Sequence, residues 1–476
     1  LSQDTTEILT ILHTNDIHSH FEMMSGNAAV ISREKKAAEN GTVLVLDIGD
    51  HMDRAAMETE GTMGQANVDV INLTGYDAIT IGNNEGLTVP LEDLSAAYAG
   101  LQCPVVCCNI KEIDGGKPPS WMKEYIILER TGIKIGITAA TAAFSSFYQL
   151  LGWEAQEPVA KIRQQVEFLR SQVDVVILMS HLGINADKNI AEQVSGIDII
   201  LGGHTHHLLE EPLILNGTVV CGAGKFGGYV GKVILERKRE DSTFQYRSGG
   251  VIPVGHHEIH TDVELAILQH REQADHRLQE TAALTGRELT LDYTAESPFA
   301  NLLAQAVYHY TDTDLAIVNA GQLLGPLPSG TITDGMIHAL CPSPINPCVM
   351  TLKGSYILQA LEESLIPDYY NREIKGYGFR GRVLGVLALD GIQVSYDLRR
   401  PEGNRIVQAI VQGKPLELDK KYRVGTLDMF TFKVGYESLS WGENITYLLP
   451  EFIRDLLRQE LIRPGALEQS FYQRWL

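Results

Sequence analysis

The run IILGGHTHH at positions 199–207 places His204 and His206 directly after an apolar, strand-like segment. There the imidazole nitrogens can converge on a cation at the carboxyl end of a sheet. Four other runs finish in the same way. ILTIL leads into Asp16 and His18, VLVLDIGD ends at Asp50, AITIGNNE carries Asn83, and VVILMSHLG carries His181. Taken singly, each has an ordinary structural explanation, since an Asp-x-His pair is commonly a cap beside a surface histidine. Seven donors of these types, each at the end of a strand, instead predict one cluster where open α/β sheets place their sites. Asp50 lies beyond an apolar strand, where a carboxylate is costly to bury unless it is paired or ligated. Its two oxygens can bridge two cations, so the donors suit a dinuclear centre. Carboxylate, amide carbonyl and imidazole together favour Mn, Zn, Fe, Co or Ni over Ca or Mg alone.

These side chains need strands to carry them. From Ile8 to about Val230, short β-branched or Leu-rich runs alternate with longer helical stretches, which predicts a layered α/β domain. Ile8–Leu12, Val43–Leu46, Ala78–Ile81, Ile133–Thr138, Val175–Met179 and Ile197–Leu201 read as strands, and Val159–Val173, led by Pro158, as a helix. Thr261-Asp262-Val263-Glu264 has the form of a capping box, and the charged stretch after it reads as a solvated helix between domains. A chain of 476 residues is too long for one core. The boundaries expected are 1–258 for the α/β domain, 259–283 for the connecting helix and 284–476 for a second domain with its own strands and helices. The glycine pairs Gly202-Gly203 and Gly227-Gly228 belong to no phosphate-loop pattern and read as close backbone approaches or tight turns. Gly224-Lys225-Phe226, after the strand VVCGAG, would lie at the cleft edge. His256, His257, His260, His270, His276, His309 and His338 show no ligand spacing and are expected on surfaces.

The net charge of −21 argues against long polyanions as partners, because nucleic-acid binding leans on a Lys/Arg-rich surface. Small phosphorylated molecules stay open, since bound divalent cations reverse the local field. No apolar run approaches the roughly 18 residues of a membrane span, so no membrane partner is expected. Six cysteines in a chain of this length imply no disulfide framework. The opening LSQDTTEILT shows neither the basic start nor the apolar core of an export signal, which gives a cytoplasmic expectation. Because the chain opens on Leu1 rather than Met, a secreted or cell-wall form with a trimmed leader stays open. The oligomeric state is not legible.

The ordered set D-x-H, GD, GN, H and GHTH resembles the calcineurin-like metallophosphoesterases. The runs NLLAQAV, LAIVNAG, LPSGTITDG, VMTLKGSYILQALEESL and DGIQVSYD resemble, in order, the C-terminal domain of the 5′-nucleotidase family. The resemblance covers nearly the whole chain. It implies a four-layer sandwich, two sheets flanked by helices, joined by a linker helix to an α+β substrate-binding domain. It further implies one metal on Asp16, His18, Asp50 and His206, and a second on Asp50, Asn83, His181 and His204, with Asp50 bridging. Two such ions clamp a phosphoryl group, acidify a bound water and stabilise the oxygens of an in-line displacement. The implied activity is hydrolysis of a nucleotide or similar small phosphorylated metabolite by that water. The alternatives are a 2′,3′-cyclic nucleotide phosphodiesterase or nucleotide-sugar hydrolase, and a nucleotide-binding protein with little turnover.

Three departures bear on mechanism. Where the family reads GNHE followed by an aspartate, this chain has Gly82-Asn83-Asn84-Glu85-Gly86-Leu87. Asn84 therefore fills the catalytic position as a hydrogen-bond donor that supplies no proton, and His51, beside Asp50, is the expected compensating acid. Where the family's NGGGIR-like run provides an arginine, this chain reads Asn319-Ala320-Gly321-Gln322-Leu323-Leu324. Asn319 and Gly321 remain substrate-site positions, Arg380 and Arg382 are expected to bring phosphate charge, and Phe379 or Tyr377 a ring. In TLDMFTFKVGYESL, at the place of the family's GGDGY, Tyr436 is the expected base-stacking residue.

Overall fold

The computed structural model describes residues 6–38, 41–238, 241, 243–255 and 257–476. The chain divides into two compact units, Leu1–Ala274 and Asp275–Leu476.

In the first unit, the β-branched runs form two sheets. One has seven strands in the order Gln245–Pro253, Tyr229–Arg237, Glu7–Thr14, Thr42–Asp47, Ala78–Ile79, Val105–Val106 and Met122–Lys123. Its strands run parallel from Glu7–Thr14 onward, with antiparallel pairs on the other side. The other sheet has six, in the order Leu213–Leu215, Thr218–Gly222, Ile199–Gly202, Val175–His181, Ile133–Thr141 and Tyr125–Arg130. Side chains alternate across each strand. Leu9, Ile11, Leu44, Leu46, Ile177, Met179, Ile199 and Leu201 therefore meet in one core between the sheets. Residues of the opposite parity take the outer faces. Leu12, Val45 and Ile79 pack under the helices Phe21–Ala37, Gln65–Thr74 and Leu91–Tyr98, and Val176, Leu178 and Ile200 under Pro158–Arg170 and Ile184–Gln193. Strands buried on both faces read as continuous apolar runs for this reason, and the result is the expected four-layer sandwich.

The strand expected at Ala78–Ile81 and the helix that follows His260 depart from expectation. Ala78–Ile81 is a strand only over Ala78–Ile79, because after the Thr80 amide bonds Asp47 O the chain turns into the short helix Asn83–Thr88. The helix expected to be solvated runs over Thr261–Leu278 and is partly buried. Val263 and Ile267 pack with Ile17, Phe21, Met24 and Val70, and His270, itself buried, sets Nε2 2.7 Å from Asp69 Oδ2. Val263, Ile267, His270 and Ala274 recur at helical spacing and make one buried stripe, while Leu265 and Leu268 stay exposed. His338 is buried as well.

The second unit is built on a five-stranded sheet ordered Leu387–Asp390, Leu315–Asn319, Lys421–Leu427, Pro347–Lys353 and Glu443–Tyr447. The apolar helix Pro298–Thr311, opened by a proline at its first turn, buries Phe299, Leu302, Leu303 and Val307 in the same core. A three-stranded sheet, Ile392–Tyr396, Ile406–Val411 and Lys414–Pro415, and a two-stranded one, Thr281–Thr285 and Gly330–Thr333, belong to the same unit. The six cysteines are free. Among the described residues no helix is long and apolar enough to cross a membrane.

Asp428, at the end of the strand Lys421–Leu427, is buried, and burial pushes its carboxyl up to about 7 despite hydrogen bonds from the Asn346 and Met429 amides. Between the unfolded value near 4 and the folded value near 7, the folded chain holds the extra proton, so folding stability falls as pH rises through that window and levels off above it. Asp428→Asn removes the titrating group. Its stability advantage over wild type, measured by chemical denaturation, should widen by about 2–3 kcal/mol from pH 5 to pH 8. A pH-independent difference would contradict the assignment.

Candidate metal centre

The site grows from the carboxyl ends of five strands of the first unit. Beyond Glu7–Thr14, Asp16 donates its amide to Gly49 O at 3.0 Å and His18 its amide to Asp50 O at 2.8 Å, which zips the Asp-x-His loop to the Gly-Asp loop. Asp16, His18, Asp50, His204 and His206 all adopt φ between 49° and 71°. Such left-handed backbone costs a residue with a β-carbon about 1–3 kcal/mol and persists only where surrounding contacts impose it. Five strained residues among seven candidate donors is a concentration that packing alone does not require.

Close backbone approach brings the loops together. A β-carbon on Gly82 would fall 2.0 Å from Asp50 Oδ1, and one on Gly203 would sit 3.0 Å from His181 Nδ1 and 3.2 Å from Asp16 Oδ2. Glu85 is a buried organiser, not singled out from the sequence. Its carboxylate accepts the amides of Asp50 at 3.0 Å, Met52 at 2.8 Å and Gly82 at 2.8 Å, tying the GD loop to the GN loop. The only hint was a single charged residue within an otherwise uncharged strand-to-helix turn.

The seven expected side chains are brought together. His206 Nε2 lies 3.5 Å from Asp16 Oδ1 and 3.1 Å from His18 Nε2, whose distance to Asp50 Oδ2 is 3.7 Å. On the other side His181 Nε2 is 3.3 Å from Asp50 Oδ2 and 4.0 Å from Asp16 Oδ1. His204 Nδ1 lies 2.8 Å from Asn83 Oδ1, and the His204 amide donates to Asp16. Two overlapping triads, Asp16–His18–His206 and Asp16–Asp50–His181, each offer donor atoms within 4.8 Å of one another. His181 is held by Nδ1, 2.8 Å from Ile48 O, while its buried Nε2 has no hydrogen-bond partner. A fixed imidazole with the opposite nitrogen free is how histidine is presented to a metal.

Electrostatics point the same way. Burial pushes the Asp16 carboxyl up, and although burial would do the same to Asp50, His181 and His18 hold Asp50 well below the usual range. His181 rises to about 10 because Asp50 and Asp16 outweigh its burial. Burial lowers His204 and His206 to about 4, and the charges of His18 and Lys225 add to the fall at His206. Neutral imidazoles at His204 and His206, beside two buried carboxylates that hold protons on His181 and His18 until a cation displaces them, form a donor set that fits divalent cations, which need deprotonated ligands.

The expected compensating acid is corrected. His51 is buried, its Nδ1 lies 3.2 Å from Asn67 Nδ2, and burial lowers it to about 3, so at neutral pH it is an uncharged imidazole that does not serve as a general acid. Its neighbour Asp50 points into the cluster, but adjacency in sequence sends the next side chain elsewhere. Asn84 is at the cluster: its amide donates to Asp50 Oδ1 at 2.7 Å, and its Nδ2 lies 2.6 Å from His18 Nδ1. Asp53 Oδ2 is 3.5 Å from the same nitrogen.

The substrate residues expected in the second unit mostly turn inward. Tyr436 is fully buried and donates its hydroxyl to Gly385 O at 2.8 Å, so no ring face is free to stack on a base. Asn319 is buried with Nδ2 donating to Leu384 O at 2.6 Å. Phe379 is buried, and a β-carbon on Gly321 would fall 2.0 Å from Val383 O. Arg380 is half-buried and Arg382 exposed. The exposed ring of that loop is Tyr377, 58% accessible and stacked on Phe432 at 5.9 Å with 24° between planes.

Residues 9–208 match the family model of the calcineurin-like phosphoesterases, and residues 277–438 that of the 5′-nucleotidase C-terminal domain. The chain is 34% identical over 459 residues to the uncharacterized metallophosphoesterase YunD of Bacillus subtilis, covering 96% of this chain and 99% of the relative. It is 27% identical over 491 residues to the 5′-nucleotidase of Mus musculus, covering 87% and 81%. In fold it matches the NAD nucleotidase of Haemophilus influenzae with a TM-score of 0.70 at 18% identity, covering 99% of each chain.

Gly82→Ala tests the geometry directly, because its backbone conformation accepts alanine and only Asp50 stands in the way. The variant should keep the far-ultraviolet circular dichroism of wild type and lose at least about 100-fold in metal-dependent phosphatase activity, as expected of a misplaced positioning contact. Unchanged activity would show that Asp50 does not occupy a constrained place in the centre.

Proposed function

The chain belongs to the calcineurin-like phosphoesterases that carry a 5′-nucleotidase C-terminal domain, and from that premise we propose that it hydrolyses the phosphate ester of a nucleotide on two divalent cations. Members of the family are phosphoric ester hydrolases with a dinuclear divalent centre. The observation that carries the reading is the convergence of donor atoms from five strand ends, with the buried His181 Nε2 aimed between Asp16 and Asp50. Asp16, His18, Asp50 and His206 would hold one cation, and Asp50, Asn83, His181 and His204 the other. When bound, such a pair supplies a clamp for phosphoryl oxygens and makes water acidic enough to attack at neutral pH.

The chain's own groups set the rest. Asn84 is a positioning residue: its amide fixes Asp50 and its side chain, with Asp53, orients His18 so that Nε2 faces the cluster. Neither Asn84 nor His51 delivers a proton to the departing oxygen, so the alkoxide of a nucleotide monoester would leave with help from the cations alone, and more slowly than a leaving group that departs as a stable anion. In the second unit, the Tyr377–Phe432 ring pair, with Arg380 and Arg382 on the same loop as Tyr377, is the base and phosphate site of this reading. The exposed Leu324 stands where the resemblance called for an arginine. That substitution favours a second substrate class, in which the phosphate is not a terminal monoester.

A panel of nucleoside 5′-monophosphate, 2′,3′-cyclic nucleotide and aryl mono- and diesters, run with Mn, Zn, Co and Ni, separates the readings. Metal-dependent release of phosphate from the 5′-monophosphate, abolished by Asp50→Asn, is expected. Tyr377→Ala should raise KM for the nucleotide about tenfold, in line with the stacking energy per base, and leave kcat nearly constant. Hydrolysis of aryl esters alone, with no nucleotide turned over under any ion, would overturn the nucleotide assignment.

A further inference from the structure

Between the strands Thr218–Gly222 and Tyr229–Arg237 the chain crosses from one sheet of the first unit to the other, and the crossing loop is built against the candidate metal centre. Asn15 clamps it from both sides, accepting the Ala223 amide at 2.9 Å and donating to Gly224 O at 2.7 Å. Asn27 Nδ2 donates to Gly227 O at 2.8 Å, and the Phe226 amide donates to Asp16 O at 2.8 Å. Gly227 has φ +67°, and a β-carbon there would fall 2.6 Å from Asn27 Nδ2.

The result is a rigid loop with an unusual tip. Phe226 adopts φ +59°, a left-handed conformation that a bulky aromatic residue rarely takes, yet it leaves its ring 37% accessible. Strain of this kind is concentrated at ligand clamps. The ring packs on His20 at 4.1 Å and lies edge-on to His18 at 5.8 Å. Lys225 Nζ stands 4.4 Å from the centroid of the same ring, so a cation–π contact holds an exposed ammonium beside the histidines. In a protein of net charge −21, no carboxylate among the described residues lies within ion-pair distance of that ammonium. An unneutralised lysine at the rim of a phosphate-handling cluster is placed to meet an anion.

We propose that Lys225, carried on Phe226, binds a second phosphate of the substrate beyond the phosphoryl group held at the cluster, so that the site selects compounds bearing linked phosphates, such as a nucleoside diphosphate or a dinucleotide. This rests on the phosphoesterase reading and narrows its substrate class. Lys225 is a specificity residue and takes no part in proton transfer.

Titration calorimetry of the Mn-loaded full chain with inorganic pyrophosphate and with orthophosphate reads this without turnover. Wild type should prefer pyrophosphate, Lys225→Met should lower the pyrophosphate-to-orthophosphate affinity ratio about tenfold, and Lys225→Arg should restore most of it, as for a charge-assisted contact. The ratio should also shrink at 0.5 M salt, because an exposed charge is screened. A wild-type protein with no pyrophosphate preference, or a ratio unchanged in Lys225→Met, overturns the proposal. A protein that shows the ratio change but turns over no nucleotide would instead contradict the nucleotide reading and leave the linked-phosphate site in place.

Discussion

Two carboxylates that must both stay ionised in a buried place constrain everything around them. Asp16 and Asp50 come from the ends of neighbouring parallel strands and are almost fully buried with donor atoms inside one 4.8 Å cluster. Repulsion between them, added to the desolvation of each, demands positive charge at short range. Imidazoles from the second sheet supply part of it, and the donor set is completed for divalent ions. The left-handed backbone at five donors and the glycines that a methyl group would displace are the structural consequences of forcing these groups together.

The sandwich explains how one short motif set reaches a single point. Each strand is buried on both faces, so its side chains are committed to the core along its length, and only the carboxyl end is free to carry chemistry. The two sheets face each other, so loops leaving them at the same end meet. Glu85 then acts as a staple, with one carboxylate satisfying three amides from two loops. Because its oxygens are taken up by these backbone amides, it is a positioning residue that holds the two loops together.

What the sequence made legible divides along the same line. The candidate donors were readable because strand periodicity fixes where a run ends, and the residue type at that end is the signal. The layered fold was readable from continuous apolar runs alternating with helices. Side-chain direction within loops was not. His51 looked available beside Asp50, yet it turns into a buried pocket against Asn67 and Tyr76. Tyr436 and Phe379 sat in runs similar to substrate loops, yet both pack in the core, while Tyr377 and Phe432 hold the accessible rings. The helix Thr261–Leu278 read as solvated because its few apolar residues are spread along the sequence, although Val263, Ile267 and Ala274 recur on one buried face. In each case the missing information was which neighbours a side chain finds across the fold, which no local pattern encodes.

The central claim is that these side chains form one two-cation site with Asp50 shared. Calorimetric titration of the metal-stripped protein with Mn, paired with the same titration of Asp50→Asn, addresses it most directly. The account predicts two ions per chain for wild type and loss of tight binding at both positions in the variant, because the shared carboxylate serves each. Binding of a single ion, or two ions bound undiminished by Asp50→Asn, would contradict it.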